Sequence, residues 1–179
     1  MSNMKKTVAL IIALGLLFCL AACGQTQTVQ AEEPETAAVT EIRPDYGELY
    51  VVLDGVSFGV MDEADPVTDA LGEPRTKTEM PSCAHQGSDI YWFYDGFELM
   101  MNEIDGVNYI TGIALKDDLV ATQQGVRIGM NIGEAIALLG DEYENTGSVY
   151  RYRSGTTLLS LNTDSDGTVS DIQFSEYTE

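Results

Sequence analysis

The sequence predicts an α+β fold of two tandem repeats, each a short helix plus an antiparallel meander, sharing one sheet with both helices on one face. Three observations carry that expectation. The frame Gly55-Val56-Ser57-Phe58-Gly59 returns seventy residues later as Gly125-Val126-Arg127-Ile128-Gly129. Each frame leads into a helical stretch closing on Leu-Gly, at Leu71-Gly72 and Leu139-Gly140. Each helix is followed by strand-like runs broken by glycine turns, in the same order. Self-similarity at a fixed spacing marks a unit that buries its apolar face only against a neighbouring copy.

From the N-terminus, Lys5 and Lys6 form a short basic region, and Val8–Leu20 is almost wholly apolar. About 13 residues of helix reach roughly 20 Å, short of the ~30 Å hydrocarbon core. Residues 1–22 therefore read as an export signal and not as a permanent span. The run Leu20-Ala21-Ala22-Cys23-Gly24 resembles the bacterial lipobox. That resemblance implies a diacylglyceryl thioether on Cys23 and cleavage before it, because small residues suit a signal-peptidase pocket and only a thiolate makes the bond. Two or more acyl chains anchor a protein stably where one does not. The expected location is the cell membrane, lipid-anchored on its extracytoplasmic face.

The chain carries 9 basic and 29 acidic side chains, a formal charge of −20. Loss of the leader removes two lysines and no acid, leaving a charge of about −22. Such a field repels phosphate backbones, so nucleic acid is excluded as a partner. Residues 23–46 are rich in Gln, Thr, Glu and Ala, with no aromatic before Tyr46. This composition does not bury enough surface to offset ordering entropy, so the stretch reads as a flexible, lipidated stalk of about 25 Å. A single domain is expected over 47–177, with repeat 1 at about 49–118 and repeat 2 at about 119–177. Once Cys19 leaves and Cys23 is lipidated, Cys83 stands alone and no internal disulfide forms.

Within the domain, Asp62 or Asp65 is placed to cap the first helix, with Pro66 in its first turn and a Val67/Leu71 stripe. Asn131 is placed to cap the second, with Glu134 completing a capping box and Gly140 a C-cap. Ile132, Ile136 and Leu139 give that helix one apolar face. Strands are expected at Tyr91–Tyr94, Phe97–Met101 and Tyr109–Leu115, and again at Tyr150–Tyr152, Thr156–Leu161 and Val169–Phe174. The Asp-Gly pairs between strands favour tight hairpins because the turn residues need positive φ.

This tandem pattern resembles the beta-lactamase-inhibitor-protein-like fold, whose single repeat is similar to small outer-membrane lipoproteins of barrel assembly. The stretch from Pro81-Ser82-Cys83-Ala84-His85-Gln86-Gly87 through Gly129 also resembles a group of short lipoproteins of Gram-positive bacteria. The likeness covers roughly residues 49–175 and rests on fold-level motifs. It implies a protein-binding surface on the open sheet face, opposite the helices. No inhibitor contact transfers residue by residue.

No catalytic constellation is expected, and no cofactor. His85 lies two residues from the free thiol of Cys83, close enough for a pair in an extended segment. An orienting group and an oxyanion site are also needed, and nothing local supplies them. Cys83 reads as a small buried hydrophobe; a mixed disulfide with a partner is the other use of an unpaired thiol. Asn162, Asp164 and Asp166 fit the opening positions of a calcium loop. Gln173 stands where a bidentate Glu is required, and the flanks read as strands, so a hairpin turn is the simpler reading. Alternation places Tyr91 and Phe93 on one face, with Trp92 and Tyr94 on the other. Arg151 and Arg153 share a face opposite Tyr150 and Tyr152. Matching the repeats puts Arg151, Arg153, Tyr91 and Phe93 on the open side, where Tyr and Arg serve as interface anchors; filling a small core is the alternative use of the rings. The expected function is a non-catalytic, membrane-anchored binding lipoprotein for an extracytoplasmic protein. An envelope-assembly factor and an inhibitor of an extracellular enzyme are the alternatives.

Overall fold

A computed structural model of the chain describes residues 47–83 and 87–177. It corrects the expected α+β repeat architecture. The protein is mostly β: strand makes up 49% of the described residues, and the helices are two segments of eight residues each. A ribbon of β1 (Val51–Leu53) and β2 (Val56–Phe58) comes first. Helix α1 (Ala64–Leu71) follows, then β3 (Thr76–Pro81), β4 (Ser88–Phe93), β5 (Phe97–Ile104) and β6 (Val107–Leu115). Helix α2 (Ile132–Leu139) leads into β7 (Glu144–Thr146), β8 (Val149–Ser154), β9 (Thr157–Thr163) and β10 (Val169–Glu176). The last eight strands form one antiparallel sheet in the order β3-β4-β5-β6-β10-β9-β8-β7.

The glycine-framed motifs that suggested a duplication adopt different structures. In the first, Val56–Phe58 is the return strand of the ribbon, turned by Asp54 and Gly55 at φ 50° and 83°. The second is loop, with Gly125 and Gly129 at φ 93° and 88° and no strand between them. Besides the ribbon strands β1 and β2, two strands of the large sheet lie outside those expected, β3 and β7. Their residues are largely exposed, so neither carries the apolar alternation by which a strand is read from sequence.

The helices were also expected to cover the sheet, and they do so only in small part. Helix α1 buries Ala64, Val67 and Thr68, while α2 buries Ala135 alone. The remaining cover comes from irregular chain and the ribbon: Leu49, Val51, Phe58, Val60, Val120 and Val126 are all buried. These meet the inward side chains of the sheet, among them Phe97, Leu99, Ile110, Ile113, Leu159, Leu161, Ile172 and Phe174. The Phe58 and Phe97 rings lie 5.6 Å apart, a tilted aromatic pair joining ribbon to sheet. Between ribbon and helix, Met61 donates its N–H to Ile110 and Ile110 donates back to Asp62, fixing this layer to β6.

The turn chemistry follows local rules. Asp105 and Gly106 both take positive φ, as a two-residue hairpin requires. Asn131 caps α2 by accepting the Gly133 N–H at 2.9 Å. Helix α1 departs from expectation: its cap position is Glu63, with no side-chain hydrogen bond. The Asp62 carboxylate instead accepts the Gly59 N–H at 2.7 Å, and Asp65 lies inside the helix.

Candidate protein-binding face

Strand register determines what the uncovered side of the sheet carries. Core residues alternate with outward ones along each strand, and residues directly opposite one another share a face. One row of outward residues runs Phe93–Glu98–Ala114–Gln173–Ser160–Arg151–Glu144, one per strand from β4 to β7. The adjacent row runs Tyr91–Met100–Gly112–Ser175–Leu158–Arg153. All four residues expected on the open side, Tyr91, Phe93, Arg151 and Arg153, stand in these two rows. Trp92 and Tyr94 pack against the core, with Tyr94 stacked on Phe97 at 4.8 Å, and Tyr152 is buried on the same inner side.

The face has two poles. Tyr91 and Phe93, both half-buried, form an aromatic pole beside Met100. Arg151 and Arg153 form a basic pole on β8, five strand spacings away, or about 24 Å at ~4.8 Å per strand. Between them the two rows carry Glu98, Ala114, Gln173 and Ser160, and Met100, Gly112, Ser175 and Leu158. A Cβ on Gly112 would lie 2.6 Å from the Met100 methyl carbon, so the absent side chain makes room for Met100.

The two arginines are held differently. The Arg153 guanidinium reaches Glu144 at 3.0 Å and lies 4.4 Å from the Tyr177 ring centroid. Arg151, between Ser160 and Glu144 in register, has no carboxylate within 4.0 Å among the described residues. Glu98 near the aromatic pole is already paired with Lys116 at 2.9 Å. The basic pole thus keeps an uncommitted guanidinium in a chain of strongly negative charge.

Reading by alternation alone missed a polar cluster on the same face. Asn102 donates to Asp89 at 2.8 Å and receives the Thr111 hydroxyl at 2.8 Å. Thr111 reaches the cluster because a bulge interrupts the β5–β6 register between Met100 and Met101. Nothing in the sequence marks that bulge.

The other candidates separate. The Asn162 side chain is turned to Asp171, donating at 2.7 Å. Asp166 accepts the Thr168 N–H at 3.0 Å, which holds its carboxyl below the usual value. Asp164 accepts the Gly167 N–H through its backbone carbonyl. Asp164 and Asp166 thus belong to the β9–β10 turn while Asn162 lies in β9, and no cluster of three His, Cys, Asp or Glu side chains that could hold a metal occurs among the described residues. Cys83 is exposed, against the expectation of a buried thiol. His85 and the lipidation candidate Cys23 lie outside the described residues, as do the leader and most of the expected stalk, residues 1–46. No helix among the described residues is long and apolar enough to cross a membrane. A separate cavity of about 420 Å³ lies between α1 and the β3–β5 side of the sheet, lined by Asp65, Thr68, Lys77 and Trp92 among others.

No protein-family model, characterised protein or solved structure matches this chain.

Proposed function

We propose that this chain is a lipoprotein, anchored through Cys23 on the extracytoplasmic face of the cell membrane, that binds a protein on its open sheet face without catalysis. One observation carries the binding part: an aromatic pole and a basic pole stand on the same two register rows, about 24 Å apart. A small molecule does not span that distance, whereas a standard protein interface does. Aromatic and Arg side chains are the residue types that dominate such interfaces. The free guanidinium of Arg151 suits a carboxylate on that surface, in the planar geometry Arg favours. The anchoring part rests on the apolar leader that ends at Leu20-Ala21-Ala22-Cys23.

The test uses the full chain, tagged at its C-terminus and captured from native membranes after mild crosslinking. One protein enriched by the parent chain should be lost from both the Arg151→Glu/Arg153→Glu and the Tyr91→Ala/Phe93→Ala variants. It should be retained by Asp69→Ala on the helix side. Equal recovery across all four chains refutes the face. Separately, an alkyne fatty acid should label the parent and not Cys23→Ala; labelling of both, or of neither, refutes the anchor.

A further inference from the structure

Strand β3 forms one edge of the eight-stranded sheet, pairing with β4 on one side only. Edge strands offer unpaired backbone donors and acceptors to any added strand, and natural sequences blunt them with charge and proline. This edge carries Thr76-Lys77-Thr78-Glu79-Met80-Pro81. Lys77, Glu79 and Met80 are exposed, Met80 at 46%. At the opposite edge β7 is only three residues long, so β3 is the edge long enough to accept a partner strand.

The charges along β3 are complementary about a two-fold axis through Thr78. Pairing β3 with itself antiparallel about Thr78 sets Lys77 opposite Glu79 of the second copy, and Glu79 opposite its Lys77. Residues directly opposite in an antiparallel pair point to the same face with Cβ atoms about 4.5–5.5 Å apart. Two opposite-charge pairs therefore form on one face. On the other face Thr78 meets Thr78, and each Thr76 meets a Met80. The register works whether the central pair is hydrogen-bonded or not, because the two-fold axis passes through the Thr78 pair in either case. Parallel pairing in register sets Lys on Lys and Glu on Glu, which like charges disfavour. The same alternation that repels uncharged or like-charged strands thus accepts its own copy.

Lys77 is exposed on β3, with its ammonium 3.1 Å from Glu73 and 4.0 Å above the ring of Trp92 on the neighbouring β4, on the helix side of the sheet. An ammonium has three donors, enough for a second carboxylate. Glu79 has no ion pair among the described residues and is available to the second copy.

We infer that β3 is a homodimerisation edge, joining two copies antiparallel about Thr78 into one continuous sheet. The interface lies at the sheet edge, beside the aromatic pole on β4 and remote from the basic pole on β8. The full chain is tested in the cell that makes it, in a Cys83→Ser background so that the exposed native thiol does not compete. Thr78→Cys sets two thiols across the axis at a Cα separation of about 4.5–5.5 Å, within the 4.4–6.8 Å that a disulfide needs. Mild oxidation should give a covalent dimer on a non-reducing gel, absent without Thr78→Cys. Adding Lys77→Glu or Glu79→Lys alone should cut its yield at least severalfold. Combining the two reverses both charges, restores opposite-charge pairs and should return the yield to that of the parent. That rescue also shows that the single variants did not merely unfold. Absence of the Thr78→Cys dimer overturns the inference, as does a yield indifferent to the single charge changes or a double variant no better than the singles. Adding Arg151→Glu should leave the yield unchanged, which separates this edge from the open face.

Discussion

Phe58 tests whether the ribbon, rather than the helices, closes the core. Its side chain is fully buried and pairs with Phe97 across the two layers. Truncating a buried Phe to Ala costs about 3–5 kcal/mol through lost transfer energy and the cavity left behind. Leu139 is the counterpart on α2, only partly buried against the same core. A partly buried Leu should lose less on truncation, about 1–2 kcal/mol, below the range for fully buried leucines. A domain of this size has a total stability of about 5–15 kcal/mol, so Phe58→Ala removes a large share of it. Urea unfolding, followed by Trp92 fluorescence and far-ultraviolet circular dichroism, reads both changes. With a urea slope of about 1–3 kcal/mol per molar, Phe58→Ala should lower the midpoint by roughly 2 M and Leu139→Ala by under 1 M. A Leu139→Ala cost equal to or above that of Phe58→Ala would refute the ribbon-roofed core and return the helices to the role first expected of them.

Three further outcomes follow from individual groups. Asn131→Ala removes the α2 cap and should cost about 1 kcal/mol, whereas Glu63→Ala at the side-chain-free cap of α1 should cost less than half of that; thermal melts of both variants check the contrast. Tyr94 and Tyr152 are pushed up to about 12, each chiefly by burial, with Glu73 adding to Tyr94. Their neutral forms are favoured in the folded state, so this stabilisation is complete below pH 10 and is lost as pH rises through about 12; tyrosinate absorbance should show two late-titrating groups, and a single step near 10 would contradict their burial. Asp166 should titrate below 3.8 in carbon-detected NMR, and calcium below millimolar concentration should not move its signal, because the turn is closed by its own backbone.

The parts of the fold legible in the sequence are those whose side chains divide between a wet and a dry face. Strands β5 and β9 alternate strongly, and their residues fall where alternation places them. The same signal assigned Tyr91 and Phe93 to one face and Trp92 to the other. Strands β3 and β7 escaped it because an edge strand with no buried face leaves no hydrophobic period to read. The ribbon escaped for another reason. Phe58 is fully buried from a three-residue strand, too short for any periodicity, so in the sequence its glycine frame reads as the start of a repeat and not as the turn of a hairpin. The weak helix cover was hidden because an apolar stripe such as Ile132, Ile136 and Leu139 reports a capacity for burial, and α2 fully buries only Ala135.

The point at which the chain enters the sheet bears on how an anchored domain presents its face. Glu48 donates its N–H to the Ser154 hydroxyl at 3.1 Å, and its carbonyl accepts from Gln124 at 2.7 Å. Gly47 lies so close to Ser154 that any Cβ there would collide with its side chain. Entry is therefore beside the β8–β9 turn, where Tyr177 also returns its N–H to Thr156 at 2.7 Å. Because β6 and β10 are antiparallel, the β5–β6 turn at Asp105-Gly106 lies at this same end of the strands, and the β9–β10 turn lies at the other. The chain thus joins the sheet at the end of its strands and not across the register rows of the open face. Capture of the partner should accordingly survive removal of the acyl anchor, because the anchor supplies location while the face supplies the contacts.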